Sequence, residues 1–141
     1  MLSKGIKAAL AVASLALASC SGTYWTQGNP TWAVLTGADE VPPVSTTASG
    51  NGRFMIETNG SVSGTIVVNG MSASAAHIHV GASGTNGPVI ITLVKNGDNF
   101  DAPAGAKLNA DQMVDLRYGR LYVNVHSAEH KGGEIRGQLR W

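Results

Sequence analysis

The chain has 141 residues, one cysteine and a formal net charge of +1. One cysteine excludes a disulfide within the chain, and ten basic residues balanced by nine acidic ones leave no basic stripe of the kind that binds nucleic acid. The length suits one domain with one hydrophobic core and leaves no room for a second.

The first twenty residues have the order of an export signal. Lys4 and Lys7 precede an apolar run, residues 8–18, that is too short to span a bilayer. A leucine stands three residues before Cys20, an order that resembles the lipobox of bacterial lipoproteins. We therefore predict cleavage before Cys20 and acylation of this residue. The alternative is an ordinary signal peptide followed by a chance cysteine.

Cleavage before Cys20 would divide the chain into a lipoprotein signal peptide over 1–19, a lipidated tether over 20–31 and a domain over 32–141. Several acyl chains on one residue give stable membrane anchoring, whereas a single chain binds only marginally. Ser21 is not the aspartate that commonly retains lipoproteins in an inner membrane. The predicted location is therefore the cell envelope, with the outer membrane favoured where two membranes are present.

The domain is predicted to be all-β. Eighteen glycines are present in the chain, and short β-branched runs recur between turn residues such as Asn-Gly pairs. This pattern is typical of a single Greek-key-like β-sandwich or barrel of about seven or eight antiparallel strands. The predicted strands are 32–36, 52–58, 63–68, 76–80, 89–94, 120–126 and 134–140.

One short helix is predicted near residue 110. Asn109, followed three residues later by Gln112, has the order of a capping box. Leu108 and Met113 are spaced as a hydrophobic staple around the same helix start. We expect the helix to end before Gly119.

The four histidines form two groups, His77 with His79 and His126 with His130. Side chains alternate along a strand, so His77 and His79 share a face with their α-carbons about 6.6 Å apart. His126 falls on the polar face of its strand, and His130 follows in the next turn. Converging imidazoles suit copper, or zinc as the less favoured ion. The alternative is that the first pair lies on a solvated face and His126 caps a turn.

Several motifs, taken in order, resemble the CHRD domain, the module first named from chordin. The resemblance covers residues 33–140. The matching segments are LTGADEVPPV at 35–44, AHIHVG at 76–81, GPV at 87–89, GRLYVNVHS at 119–127 and GEIRGQL at 133–139. It implies a module common in exported bacterial proteins, with a biochemical role that is mostly unassigned. Chordin binds bone morphogenetic proteins mainly through cysteine-rich repeats, which this chain lacks, so that role is not implied.

A second resemblance concerns metal chemistry. Copper-zinc superoxide dismutases also have a His-x-His strand, a later strand ending in Val-x-His, and an arginine near the last strand. This resemblance implies that His77, His79 and His126 are copper ligands and that Arg136 corresponds to the arginine that guides anions. No histidine lies between His79 and His126, so the bridging imidazole and the zinc ligands of that family are missing.

Five further residues are candidates for supporting a metal site, because metal-bound histidines usually donate their second ring N–H to a nearby oxygen and other polar groups line such sites. They are Glu40, Tyr122, Asn124, Glu134 and Arg136. Two alternatives remain for this group. Glu134 could pair with Arg136 or Arg120, and Tyr122 could serve only in packing.

The preferred prediction is an exported, lipid-anchored protein that binds copper, or zinc, through its histidines at the cell envelope. The alternatives are a copper-only enzyme similar to superoxide dismutase and a non-catalytic adhesion or assembly module of the envelope. No pair of nucleophile and base is recognisable, so no catalytic residue is assigned. The predicted partners are the membrane and a metal ion, with no nucleic acid, and a protein partner is not identified.

Overall fold

A computed structural model describes residues 28–141, so the predicted signal peptide and Cys20 lie outside the described residues. The strands are β1 (Asn29–Thr36), β2 (Ser49–Ile56), β3 (Val62–Asn69), β4 (Ala73–Val80), β5 (Val89–Thr92), β6 (Val94–Asn96), β7 (Asn99–Asp101), β8 (Leu121–Ser127) and β9 (Ile135–Gln138). A 3-10 turn, η1 (Gly37–Asp39), follows β1, and a helix, α1 (Ala110–Arg117), precedes β8. The predicted all-β class with one short helix is confirmed. Between residues 28 and 141, no helix has the length and apolar character needed to cross a membrane.

The nine strands form one antiparallel sheet in the order β5-β4-β8-β9-β1-β2-β3-β7-β6. The two ends of this order, β5 and β6, are consecutive pieces of one segment that is interrupted only at Leu93. At the interruption, the Leu93 N–H donates a hydrogen bond to the Ala76 carbonyl at 3.0 Å. The sheet is therefore nearly closed on itself.

The strand count is nine rather than seven or eight because the predicted strand 89–94 is divided into β5 and β6, and an additional strand, β7, forms a short hairpin with β6. In that hairpin β6 pairs with β7, and the turn contains Gly97 with a φ of +63°. Strands of three residues are too short to show an alternating pattern, so the sequence did not indicate β7. β1 and β2 also begin earlier than predicted, at Asn29 and Ser49.

Alternate residues of the strands point inward and form one hydrophobic core. The core includes Leu35, Ile66, Phe100 and Val123, all of which are fully buried. Burial of an aliphatic or aromatic side chain of this size contributes roughly 1.5–3 kcal/mol. The residues between these core residues point to the opposite side of each strand, where a site outside the core can form.

The helix begins with the predicted capping box. The Gln112 N–H donates to Asn109 Oδ1 at 2.9 Å, and the Asn109 N–H donates to Gln112 Oε1 at 2.9 Å. Leu108 is buried in the core, and the partly buried Met113 packs against the same core, so both residues of the predicted staple face inward. The helix ends at Arg117, before Gly119.

Candidate metal centre

A row of polar side chains crosses the outer face of three neighbouring strands. β8 lies between β4 and β9 in the sheet. His77 on β4 is in register with Asn124 on β8, which is in register with Arg136 on β9. His79 is in register with Tyr122. The sheet register thus places five of the predicted site residues side by side.

Three histidine rings converge in this row. His77 Nδ1 lies 2.9 Å from His126 Nε2, and one nitrogen from each of His77, His79 and His126 lies within 4.8 Å of the others. Ile78, between the first two, points into the core and is 1% exposed, as the predicted alternation requires. Within residues 28–141 this is the one group of three or more histidine, cysteine or acidic side chains with metal-binding spacing.

His130, the fourth predicted ligand, is not part of this group. It lies in the turn after β8, where its backbone N–H donates to Ser127 Oγ at 3.1 Å. Its carbonyl accepts a hydrogen bond from the Gly133 N–H at 3.1 Å. The structure therefore brings together three of the four predicted ligands.

Two backbone carbonyls fix the orientation of two of the rings. His79 Nδ1 lies 2.9 Å from the Gly87 carbonyl oxygen, and His126 Nδ1 lies 2.9 Å from the Lys131 carbonyl oxygen. A carbonyl oxygen only accepts hydrogen bonds, so each Nδ1 carries the proton and donates it. In the neutral rings each Nε2 then carries a lone pair, which is the form that binds a metal.

Asn124 reaches into the centre of the histidine group. Its Oδ1 lies 2.9 Å from His79 Nε2 and 3.1 Å from His126 Nε2. Its Nδ2 lies on the other side, 3.5 Å from the Gly132 carbonyl oxygen. The side chain is only 3% exposed, so these contacts form away from bulk water.

Tyr122 packs against His79 and holds the loop that orients it. The two rings are stacked, with centroids 4.6 Å apart and planes 7° apart. The Gly87 N–H donates to the Tyr122 hydroxyl at 3.2 Å, while the Gly87 carbonyl accepts from His79. A side chain at position 87 would collide with the Val80 carbonyl, so only glycine fits here. Tyr122 is thus part of the support for His79 rather than packing alone.

Arg136 packs against the Tyr122 ring and is 1% exposed. Its guanidinium carbon lies 3.5 Å from the centre of the Tyr122 ring, a close cation–π contact. It also donates to the Ala82 carbonyl at 3.0 Å and, more weakly, to Asn86 Oδ1 at 3.4 Å. Arg136 is therefore held by the loop that follows β4, and it does not pair with Glu134.

The two predicted carboxylates lie at different places. Glu40 is 5% exposed, and its Oε1 has no hydrogen-bond partner among the described residues. Burial raises the pKa of Glu40 above its ordinary value, and the Val41 backbone N–H and the charge of Arg136 only partly oppose this. Glu40 is therefore a buried carboxyl beside the site rather than an acceptor for one of its histidine rings.

Glu134 accepts a hydrogen bond from the Thr46 hydroxyl at 2.8 Å. Burial would raise the pKa of Glu134, but hydrogen bonds from Ser127 and Thr46 and the nearby His130 hold this pKa below its ordinary value. Its alternative partner Arg120 forms an ion pair with Asp115 instead, at 2.8 Å. Glu134 thus supports the turns beside the site and pairs with neither arginine.

The environment lowers the pKa of two of the histidines and so favours their neutral form. Burial, followed by the proximity of His126 and His79, lowers the pKa of His77. Burial also lowers the pKa of His126, together with the nearby His79 and against the opposing hydrogen bond to the Lys131 carbonyl. Neutral imidazole is the form that offers a lone pair to a metal. Three imidazoles at this spacing are a donor set that fits copper or zinc.

The sequence did not indicate the Gly87 and Lys131 carbonyls that orient His79 and His126. Backbone carbonyls carry no residue-type signal, and both belong to loops whose path depends on the whole fold. The one local hint is Gly87 itself, which lies in the Gly-Pro-Val motif. Cys20 is outside the described residues, so its acylation stays a prediction.

The family model of the CHRD domain matches residues 32–139. The chain therefore belongs to the CHRD-domain family, and the resemblance seen in its motifs is confirmed. No curated protein and no solved structure matches the chain. The likeness to copper-zinc superoxide dismutases stays a prediction.

Proposed function

We propose that this CHRD-domain protein binds copper, with zinc as the less favoured ion, through His77, His79 and His126. The observation that carries the proposal is the convergence of three imidazole nitrogens within 4.8 Å of one another. Two of these rings present Nε2 lone pairs because carbonyls occupy their Nδ1 protons. For His77 to offer Nδ1, its ring must be neutral with the proton on Nε2, and the lowered pKa of His77 favours the neutral ring.

Copper is favoured over zinc on donor chemistry. Imidazole suits both ions, and for a given nitrogen site copper(II) binds more tightly in the general order of divalent metals. The single cysteine is Cys20, whose sulfur would be a thioether after the proposed acylation, so no thiolate would compete for the ion. A role in storing, scavenging or delivering copper requires only this binding and no catalytic group.

We further propose that the domain works at the cell envelope, attached through acylated Cys20. Support comes from the order of the first twenty residues, with two lysines, a short apolar run and leucine three residues before the cysteine. Ser21 favours the outer membrane where two membranes are present. This placement would expose the histidine group to copper arriving from outside the cytosol.

The metal proposal is tested by titrating the processed protein, purified in detergent, with copper(II) in a calorimeter. We expect one tight equivalent per chain, and we expect the double variant His77→Ala with His79→Ala to lose it. His130→Ala is the matched control, since it removes a histidine that lies outside the group. Absence of binding in the unaltered protein, or equal binding in the double variant, would contradict the proposal.

The anchoring proposal is tested by cell fractionation and labelling with a fatty acid. Cys20→Ser should abolish the label and move the protein from the membrane to the soluble fraction, whereas Thr23→Ala, three residues further along the predicted tether, should change neither. In a cell with two membranes, Ser21→Asp should move the protein to the inner membrane. A labelled, membrane-bound Cys20→Ser protein would show that another residue is the anchor.

A further inference from the structure

We propose that Asn124 Oδ1 is a fourth donor that completes a site of three nitrogens and one oxygen and makes it selective for copper(II) over copper(I). This inference rests on the proposed metal binding and specifies its ligand set and its preferred oxidation state. It is carried by the distances around Asn124, by the direction in which its amide oxygen points, and by the hydrogen bonds that hold the Nδ1 protons of His79 and His126.

The spacing of Asn124 from the histidines is the spacing expected between ligands. Its Oδ1 lies 2.9 Å from His79 Nε2 and 3.1 Å from His126 Nε2, and the latter lies 2.9 Å from His77 Nδ1. In the square-planar arrangement that copper(II) prefers, neighbouring ligands with bonds of about 2.0 Å are separated by about 2.8 Å. Small side-chain adjustments would therefore let the oxygen share an ion with the three nitrogens.

In the structure the oxygen end of the Asn124 amide faces the histidines. On the far side, Nδ2 meets the Gly132 carbonyl oxygen at 3.5 Å. A β-carbon at position 133 would lie 2.8 Å from Asn124 Nδ2 and would also collide with Glu40 Oε1. This Glu40 oxygen, which has no hydrogen-bond partner among the described residues, is therefore near the amide as well. The Gly132 carbonyl only accepts hydrogen bonds, so it matches an NH₂ group on that side and leaves the oxygen on the histidine side.

This orientation leaves lone pairs facing one another. The Nδ1 protons of His79 and His126 are committed to the Gly87 and Lys131 carbonyls, so both Nε2 atoms point lone pairs towards Asn124 Oδ1. Without an ion, a proton on His77 Nδ1 can be donated to His126 Nε2, and this proton must move to His77 Nε2 when Nδ1 binds an ion. In the neutral rings no proton is left for the contact between His79 and Asn124. A cation at this point would turn the repulsion into coordination.

An oxygen donor also affects the choice of ion. Amide and carboxylate oxygens are hard ligands, whereas copper(I) prefers soft thiolate and thioether sulfur. An oxygen fixed beside three imidazoles should therefore strengthen the binding of copper(II) and contribute little to that of copper(I). His130 and Glu134, in the neighbouring turn, are not needed for this set.

The test compares three variants of the processed protein in detergent by competition against chelators for copper(II) and, separately, for copper(I). Asn124→Ala should weaken copper(II) binding about 10- to 100-fold, the scale found when a group supporting a metal is removed, and should leave copper(I) binding largely unchanged. Asn124→Asp keeps an oxygen and should bind copper(II) at least as tightly as the unaltered protein. Asn51→Ala, at an exposed position of β2, is the control.

Electron paramagnetic resonance supplies a second readout. The copper(II) spectrum of Asn124→Ala should differ from that of the unaltered protein, whereas Asn51→Ala should reproduce it. If Asn124→Ala binds copper(II) normally with an unchanged spectrum, the inference is wrong although copper binding stands. If Asn124→Asp is as weak as Asn124→Ala, the amide nitrogen rather than the oxygen matters, and the inference is again wrong. If the unaltered protein binds no copper, both proposals are wrong.

Discussion

On two parts of the outer surface of the sheet, burial is the reverse of what polarity predicts: polar side chains are buried on one part and apolar side chains are exposed on the other. The site face, formed by the outward side chains of β4, β8 and β9, is polar but covered, with Asn124 3% exposed and Arg136 1% exposed. The open face, formed by the outward side chains of β1, β2 and β3, is partly apolar but uncovered, with Trp32 50% exposed and Val34 64% exposed. One continuous sheet carries both.

The site face is buried because three loops cover it. The segments 37–48, 81–88 and 128–134 each place backbone or side-chain groups against the site face. The first two are joined where Asn86 Nδ2 donates to the Val41 carbonyl at 2.8 Å. Together they keep bulk water from the polar groups between them.

The site face is built to hold polar groups in fixed positions. Burying a polar group is costly unless it finds a partner, so a covered polar face requires a connected set of contacts. Exposed apolar side chains, by contrast, are ordinary on protein surfaces and need no special explanation. Matched substitutions on the two faces should therefore differ greatly in effect.

The largest expected difference is between the arginines of the two faces. Arg136→Ala removes a fully buried side chain, its contact with Tyr122 and the cation near Glu40, and should lower the free energy of unfolding by about 3 kcal/mol or more. Arg53→Ala, at an exposed position of β2, should change it by less than about 0.5 kcal/mol. Urea denaturation measures both. Equal effects would show that the covering of the site face does not contribute to stability.

A smaller difference is expected between two tyrosines. Tyr122→Phe removes the hydroxyl that accepts the Gly87 N–H, and it should cost about 1 kcal/mol and speed amide hydrogen exchange at Gly87. Tyr118→Phe, whose side chain is 72% exposed, should do neither. Unchanged exchange at Gly87 in Tyr122→Phe would mean that the loop is held by other contacts.

The smallest effect is a pH dependence from the site face in metal-free protein. The pKa values of His77 and His126 are lowered, so below about pH 6.5 the unfolded chain takes up protons that the folded chain does not. The free energy of unfolding should therefore fall as the pH decreases from about 7 to about 5. His77→Gln should reduce this fall, and denaturation curves with an unchanged pH dependence would contradict the assignment.

The features that the sequence predicted are those with local or periodic causes. The capping box of Asn109 and Gln112 is complete within four residues, so it could be read directly. The shared face of His77 and His79 follows from strand alternation alone. The proximity of His126 to this pair depends on the register of β4 with β8, which strand alternation does not predict. Only the resemblance to copper-zinc superoxide dismutases indicated that the three rings belong together.

The features that the sequence did not indicate depend on the path of distant segments. The covering of the site face requires three loops to fold back over it, and no residue pattern states this. His130 follows His126 closely in the chain, yet the turn directs its backbone contacts to Ser127 and Gly133. The break at Leu93 arises because one segment must pair with β4 and then with β7.

The contact between His77 and His126 also joins parts of the chain that are 49 residues apart. An ion held by both rings would close a loop of that length, and such closure restricts the unfolded ensemble in the way a disulfide does. A protein with one cysteine has no disulfide of its own to do this. A bound ion would thus act as a cross-link that a chelator could remove.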